Sequence, residues 1–309
     1  MIVVFMGTPE FAVPSLTELY KSGVDIPLVI SQIDKRKGRG KKFQLTPVKE
    51  KALELGLEVF QPISINSPEA IEKLRSIKPD LIVVVAYGQI LSREILELPK
   101  FGCINVHASL LPKYRGAAPI NWAIINGELE TGVTIMEMEE GLDTGDMITK
   151  SSISINEDDD YISIHDKLSH LGGKILIHAI DEIEEGVSKN TPQDDSLSNY
   201  APMIFKSTGK IDWNKSSRQI QNLVRGLKPW PSAYTDYNEQ TIKIHKVRLE
   251  QASIEGAIGE IMKVDNDGIY VMTKDNIVVI EEVQFPNKKK MNVKDYLAGN
   301  NIEVGIILN

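Results

Sequence analysis

Asn105 and His107 stand two residues apart in the run Cys103-Ile104-Asn105-Val106-His107-Ala108-Ser109-Leu110-Leu111-Pro112-Lys113-Tyr114-Arg115-Gly116. Side chains in an extended strand alternate faces, so Asn105 and His107 point one way while Ile104 and Val106 pack on the other. A carboxamide and an imidazole therefore converge on one space. A buried polar pair satisfied by the following turn fits the same pattern. The second piece is Gly141-Leu142-Asp143-Thr144-Gly145-Asp146, two glycines framing an acid. Glycine permits positive φ or close backbone approach, and an Asp in such a loop is a common turn former. Set beside Asn105 and His107, Asp143 also completes a set of hydrogen-bond donor, proton carrier and orienting carboxylate.

These groups need elements to hold them. Residues 2–5 read as a buried strand, Gly7-Thr8-Pro9 as a tight turn, and Phe11, Val13, Leu16 and Leu19 as one face of a helix. Strands at 27–30, 57–60 and 80–85 alternate with helices at 46–55 and from Ser67 to about residue 77, the second with Ser67 as N-cap and Pro68 in its first turn. The run at 80–85 is continuously apolar, as in a strand buried on both faces. A further strand at 102–106 carries Asn105 and leads to His107, and 132–136 and 147–155 form a later, antiparallel pair. This alternation predicts an α/β fold with a mostly parallel, Rossmann-like sheet. The strand bearing Asn105 then ends where open α/β sheets bind ligands.

A long helix at 158–185, opened by three acids and followed by Gly186, closes the first domain. The polar, turn-rich segment at 188–205 reads as a linker. Beyond it a helix near 217–226 and five short strands between 234 and 283 predict a small OB-like β-barrel. The expected domains are thus 1–187 and 206–309.

The chain has 309 residues, 42% hydrophobic and 25% charged, enough for roughly two domains. One cysteine rules out an internal disulfide, and no apolar run reaches the roughly 18 to 20 residues of a membrane span. Residues 1–5 lack a basic n-region, so the expectation is a cytoplasmic chain. The net charge of −8 argues against nonspecific nucleic-acid binding over the whole surface, but charge is locally uneven. Lys35, Arg36, Lys37, Arg39, Lys41 and Lys42 follow Asp34, and residues 206–250 hold nine Lys or Arg against four acids. Two basic islands on an acidic chain suit one polyanionic partner, although charge runs are also simply solvated faces.

Other chemistries lack their residues. Gly7-Thr8-Pro9-Glu10-Phe11 is not a dinucleotide fingerprint, and there is no Walker pattern. The five histidines are scattered, so no metal site is expected.

The run His107-Ala108-Ser109-Leu110-Leu111-Pro112 with Tyr114-Arg115-Gly116, and Asp143-Thr144-Gly145, resembles the signature of the 10-formyltetrahydrofolate-dependent transferase and hydrolase superfamily. Gly7-Thr8-Pro9-Glu10-Phe11, Gly38-Arg39-Gly40-Lys41-Lys42, Arg115-Gly116-Ala117-Ala118-Pro119-Ile120 and Thr131-Gly132-Val133-Thr134 resemble methionyl-tRNA formyltransferases in particular. Ile211-Asp212-Trp213 and Pro229-Trp230-Pro231 extend the match into the second domain. The resemblance implies formyl transfer from 10-formyltetrahydrofolate to the amino group of initiator methionyl-tRNA by a monomer, without a metal.

In that reading Asn105 donates to the formyl oxygen, His107 carries protons between amine and folate nitrogen, and Asp143 supports His107. The resemblance places Ser109, Leu110, Leu111 and Pro112 along the folate. It also implies a pterin pocket completed by Tyr87, Gly88, Gln89, Ile90 and Leu91 with the loop at 137–142. Leu110 and Leu111 suit a structural core equally well. Arg36, Arg39, Lys41, Lys42 and Lys206 are the implied tRNA contacts. Ile33 and Arg36 stand where the family loop commonly carries prolines, which leaves the free loop less restricted. An amino-sugar formyltransferase, a formate-releasing hydrolase and a noncatalytic RNA-binding protein are the competing readings.

Overall fold

The computed structural model describes residues 1–37, 42–251 and 256–309, which divide into two compact units. The first comprises Met1–Pro119, Glu130–Ser154 and His165–Ala201; the second comprises Ile120–Leu129, Ile155–Ile164 and Pro202–Asn309.

In chain order the first unit contributes β1 (Ile2–Gly7), α1 (Val13–Lys21), β2 (Asp25–Ile30), β3 (Lys35–Lys37), β4 (Lys42–Gln44), α2 (Pro47–Glu54) and β5 (Val59–Phe60). Then follow α3 (Pro68–Ile77), β6 (Leu81–Val85), α4 (Arg93–Leu96), β7 (Cys103–His107) and β8 (Arg115–Gly116). After α5 (Pro119–Ile125), which falls in the second unit but for Pro119, come β9 (Glu130–Glu137), β10 (Met147–Ser154), α6 (Tyr161–Glu185), whose first four residues also fall there, and β11 (Tyr200–Ala201). Two helix starts form as their residues dictate. The Thr46 and Ser67 side chains accept from the backbone N–H three residues on, and Pro47 and Pro68 follow each cap.

The main sheet runs β10-β9-β7-β6-β1-β2-β5. The five strands from β7 to β5 are parallel, and β9 runs antiparallel to both its neighbours. All five residues of β6 are buried, as its unbroken apolar run requires. Strand order reverses at β1, between β2 and β6, so the ends of β1, β6 and β7 border the switch point where open sheets take ligands.

The second unit adds α7 (Ser217–Gly226), then β12 (Ala233–Tyr237), β13 (Gln240–Glu250), β14 (Ile261–Asp265), β15 (Gly268–Met272), β16 (Ile277–Gln284), β17 (Met291–Asn292) and α8 (Val293–Leu297). Its sheet is antiparallel in the order β12-β13-β16-β15-β14, with β17 on β16. Ile220 and Val224 of α7 pack into the core with Ile244, Val278 and Ile280. The two sheet edges meet through residues 305–309. Leu308 N–H donates to Gly259 O at 2.8 Å, and Asn309 and Asp236 exchange two backbone bonds at 2.7 and 3.3 Å.

Residues 120–129 and 155–164, which sequence reading keeps within 1–187, cluster with the second unit for identifiable reasons. Asn121 donates to Gly226 O at 2.7 Å, Trp122 to Pro202 O at 2.8 Å, and Arg225 to Asn156 O at 2.8 Å. Segment 188–205, read as a linker, contains β11 and a one-turn helix at Asp195–Leu197. No helix among the described residues is long and apolar enough to cross a membrane.

Candidate functional site

Strand β7 presents Asn105 and His107 on one face. On the other, Val106 lies so near α6 that a Cβ on Gly172 would sit 2.9 Å from its Cγ1. Backbone pairing fixes the register: Asn105 lies opposite Val84 on β6 and Met136 on β9, and His107 opposite Thr134. Asn105 is half-buried, and its carboxamide makes no hydrogen bond among the described residues. It is a donor held ready rather than one spent on the fold.

His107 is 6% exposed. Its Nε2 lies 3.0 Å from Tyr114 O, and a carbonyl can only accept, so Nε2 carries the proton. The neutral ring then leaves a lone pair on Nδ1, 3.7 Å from Asp143 Oδ2. That gap is too long for a hydrogen bond, so Nδ1 faces the carboxylate without being bonded to it.

Asp143 occupies the left-handed region with φ 53°, a conformation sparsely populated by non-glycine residues. The loop around it tolerates little alteration. A Cβ on Gly141 would lie 2.0 Å from Thr144 Oγ1, and one on Gly145 would lie 2.0 Å from Glu137 O. Gly116 N–H donates to Asp143 Oδ2 at 2.8 Å, tying the acid to β8.

Support for this arrangement comes from residues 188–205, the segment whose sequence reads as a linker. Gln193 Nε2 donates to Asp143 O at 2.9 Å and to Gly145 O at 2.7 Å, while its Oε1 accepts from Arg115 Nε at 3.0 Å. Asn199 Oδ1 accepts from Tyr114 N–H, and β11 pairs in parallel with β8. Isolated polar residues in a turn-rich stretch carry no periodic signal, so nothing in the sequence marks Gln193 or Asn199.

The turn after β7 is held internally. Ser109 is fully buried; its hydroxyl donates to Lys113 O at 2.6 Å and its carbonyl accepts from Thr134 Oγ1 at 2.7 Å. Leu111 N–H donates to the same Thr134 oxygen at 3.1 Å, and the Leu111 side chain is buried. Leu110 lies against β9, where a Cβ on Gly132 would come within 2.4 Å of its Cδ2. Pro112 follows through a cis peptide and is half-buried.

The stretch after β6 divides in two. Tyr87 and Leu91 are core side chains at 1% and 4% exposure. The Tyr87 hydroxyl lacks a partner among the described residues, and burial pushes its pKa up to about 12, so it stays a neutral donor. Gly88 has φ 88°, and its carbonyl accepts from Gln32 Nε2 at 2.9 Å. Gln89 is committed to the neighbouring loop through Ile65 N–H at 2.8 Å, whereas Ile90 is 84% exposed. Cys103, beneath Asn105 on β7, is buried, and its thiol is pushed up to about 12 by desolvation; it is not a nucleophile.

Strands β3 and β4 form a hairpin in which Arg36 lies opposite Phe43 and Lys37 opposite Lys42. Arg39 and Lys41 lie outside the described residues. Lys206 is exposed on a one-turn helix of the second unit. Asp34 grips the base of the hairpin: it accepts from Lys49 Nζ at 2.6 Å, Gln61 Nε2 at 2.9 Å and Thr46 N–H at 3.3 Å.

Burial raises the Asp34 carboxyl, but bonds from Lys49 and Gln61 outweigh it and hold the group below the ordinary Asp value. A depressed folded value contributes stability above the unfolded pKa, about 3.9, that is lost as pH falls through the folded one. Asp34→Asn is therefore expected to lower stability at pH 7 by about 1–2 kcal/mol, with the gap from wild type closing below about pH 4. Urea unfolding at pH 7 and pH 3 measures both.

Among the described residues no group of three or more His, Cys, Asp or Glu is placed to hold a metal. Residues 1–180 match the formyl transferase family and 203–301 the formyl transferase C-terminal domain. A methionyl-tRNA formyltransferase of Clostridioides difficile is 52% identical over 308 residues, covering 100% of both chains. One from Clostridium acetobutylicum is 52% identical over 307 residues, covering 99% of each. Solved structures share the fold. An N-formyltransferase from Helicobacter canadensis, in complex with folinic acid and dTDP-3-aminofucose, superposes with TM-score 0.70 at 22% identity, covering 93% of this chain and 100% of that one. HypX from Aquifex aeolicus with tetrahydrofolic acid gives 0.65 at 18% identity, over 96% of this chain and 46% of that one. The chain belongs to the methionyl-tRNA formyltransferase family of formyl transferases.

Proposed function

We propose that the chain transfers the formyl group of 10-formyltetrahydrofolate to the free amino group of initiator methionyl-tRNA, with Asn105, His107 and Asp143 as its catalytic groups. The observation that carries this assignment is a carboxamide with no hydrogen-bond partner among the described residues, beside an imidazole whose Nδ1 faces a carboxylate, at the C-terminal end of β7. 10-Formyltetrahydrofolate supplies a formyl carbon bonded to a nitrogen that can leave once protonated. Asn105 donates to the formyl oxygen as negative charge gathers there. His107 takes the amine proton at Nδ1 and returns a proton towards the leaving nitrogen, and Asp143 stabilises the charged ring between those events.

The turn formed by Ser109, Leu110, Leu111 and Pro112 makes a firm wall for the folate, since its own polar groups are already bonded. The backbone at Gly88 and Gln89 and the exposed Ile90 contribute to the pterin pocket, with Tyr87 and Leu91 supporting them from the core. Arg36, Arg39, Lys41, Lys42 and Lys206 meet tRNA phosphates. The enzyme works as a monomer in the cytoplasm.

Incubation with 10-formyltetrahydrofolate and Met-charged initiator tRNA tests the reaction: formyl-Met-tRNA is the expected product. A folded, folate-binding protein that makes none shifts the acceptor to an amino sugar or to water. Replacing Arg39, Lys41 and Lys42 together is expected to weaken tRNA binding and to reduce the slope of log K against log salt by about 2, at roughly 0.7–0.9 per phosphate contact. An unchanged slope removes these residues from the interface.

A further inference from the structure

We propose that Gln193 is a positioning residue for the catalytic loop, setting Asp143 against His107. The proposal rests on the site assignment above and deepens it. Gln193 donates to the carbonyls of Asp143 and Gly145, 2.9 and 2.7 Å away, on either side of Thr144. Two bonds from one carboxamide fix both the position and the rotation of this short loop. Its conformation needs that restraint, because Asp143 sits at φ 53° and left-handed backbone at a non-glycine residue persists only when its surroundings hold it.

Gln193 is itself oriented. Arg115 Nε donates to Gln193 Oε1 at 3.0 Å, which decides which end of the amide faces the two carbonyls. Arg115 Nη2 is anchored on Asp195 at 2.8 Å, and the next residue, Gly116, supplies the N–H that holds the Asp143 carboxylate. Backbone and side chain of Asp143 are thus both tied to the Arg115-Gly116 corner, one through Gln193 and one directly. Loss of Gln193 frees the backbone while the carboxylate keeps a single tether, so the 3.7 Å spacing to His107 Nδ1 is no longer defined.

Displacement of a catalytic group by about 1 Å can cost 10²-fold in rate. Gln193→Leu, which removes donor and acceptor, is expected to lower kcat by about 10- to 100-fold while KM for folate and for tRNA each change less than about threefold. Gln193→Glu keeps an acceptor for Arg115 but cannot donate to the carbonyls, and should lose a similar factor; it carries the test if the leucine variant does not fold. The decisive measurement is a double-mutant cycle with Asp143→Asn. If Gln193 acts through Asp143, Gln193→Glu costs less than about threefold further in that background.

Fully additive losses overturn the proposal, as does a Gln193→Glu enzyme with wild-type kcat. An Asp143→Asn enzyme with undiminished kcat overturns the site assignment itself, and this proposal with it.

Discussion

Asn105→Ala is expected to lower kcat for formyl transfer by about 10²–10³-fold, the loss that follows removal of one donor to a developing oxyanion. The size follows from what Asn105 does not do. It is half-buried and its carboxamide bonds to nothing else in the described chain, so truncation breaks no internal hydrogen bond and strands no partner. Stability and folate affinity should therefore stay close to wild type, and the loss should fall on kcat in single-turnover formylation. Asn105→Asp is the sharper variant. It keeps the shape but presents acceptor oxygens to an oxygen gaining negative charge, so it should be at least as slow as alanine. Retention of more than a third of wild-type kcat by Asn105→Asp would remove Asn105 from the reaction.

Much of the site's frame was legible because strand and cap signals are local. The period-two alternation of β7 separates Asn105 and His107 from Ile104 and Val106, and Gly172 against Val106 shows the packing on the opposite face. Thr46 and Ser67 cap their helices through side-chain bonds that residue type and spacing announce. Asp143 is visible because glycines frame it, and a Cβ added at 141 or 145 would come within 2.0 Å of a neighbouring oxygen.

Long-range polar contacts were not legible. Gln193 meets Asp143 across 50 residues and Asn199 meets Tyr114 across 85. Neither sits in a periodic pattern, and the turn residues around them make the segment read as a tether. The same blindness hides the attachment of 120–129 and 155–164 to the second unit, which depends on Asn121, Trp122 and Arg225 finding carbonyls far along the chain. Tyr87 and Leu91 show a third limit. The turn that follows β6 passes through Ala86 at φ 47° and Gly88 at φ 88°, so strand alternation no longer indicates which side chains face inward.

His107→Ala is expected to lower kcat by about 10²–10⁴-fold, the range for loss of a positioned acid-base group. The tautomer decides which atom matters. Nε2 is committed to Tyr114 O at 3.0 Å, so only Nδ1 is left to exchange protons, and Asp143 Oδ2 lies 3.7 Å from that same nitrogen. Loss of the ring also deprives Tyr114 O of a buried partner, worth about 1 kcal/mol of stability. That structural cost must be separated from the chemical one, and added imidazole does so: partial recovery of rate, with unfolding midpoint unmoved, assigns the defect to proton transfer. Asp143→Asn removes the charge while leaving an oxygen for Gly116 N–H, so it should cost less, about 10–10²-fold, all of it in steps where the imidazole is charged. If His107→Ala were no slower than Asp143→Asn and did not respond to imidazole, the ring would be a structural tie to Tyr114, and the proton would have to leave the amine by another route.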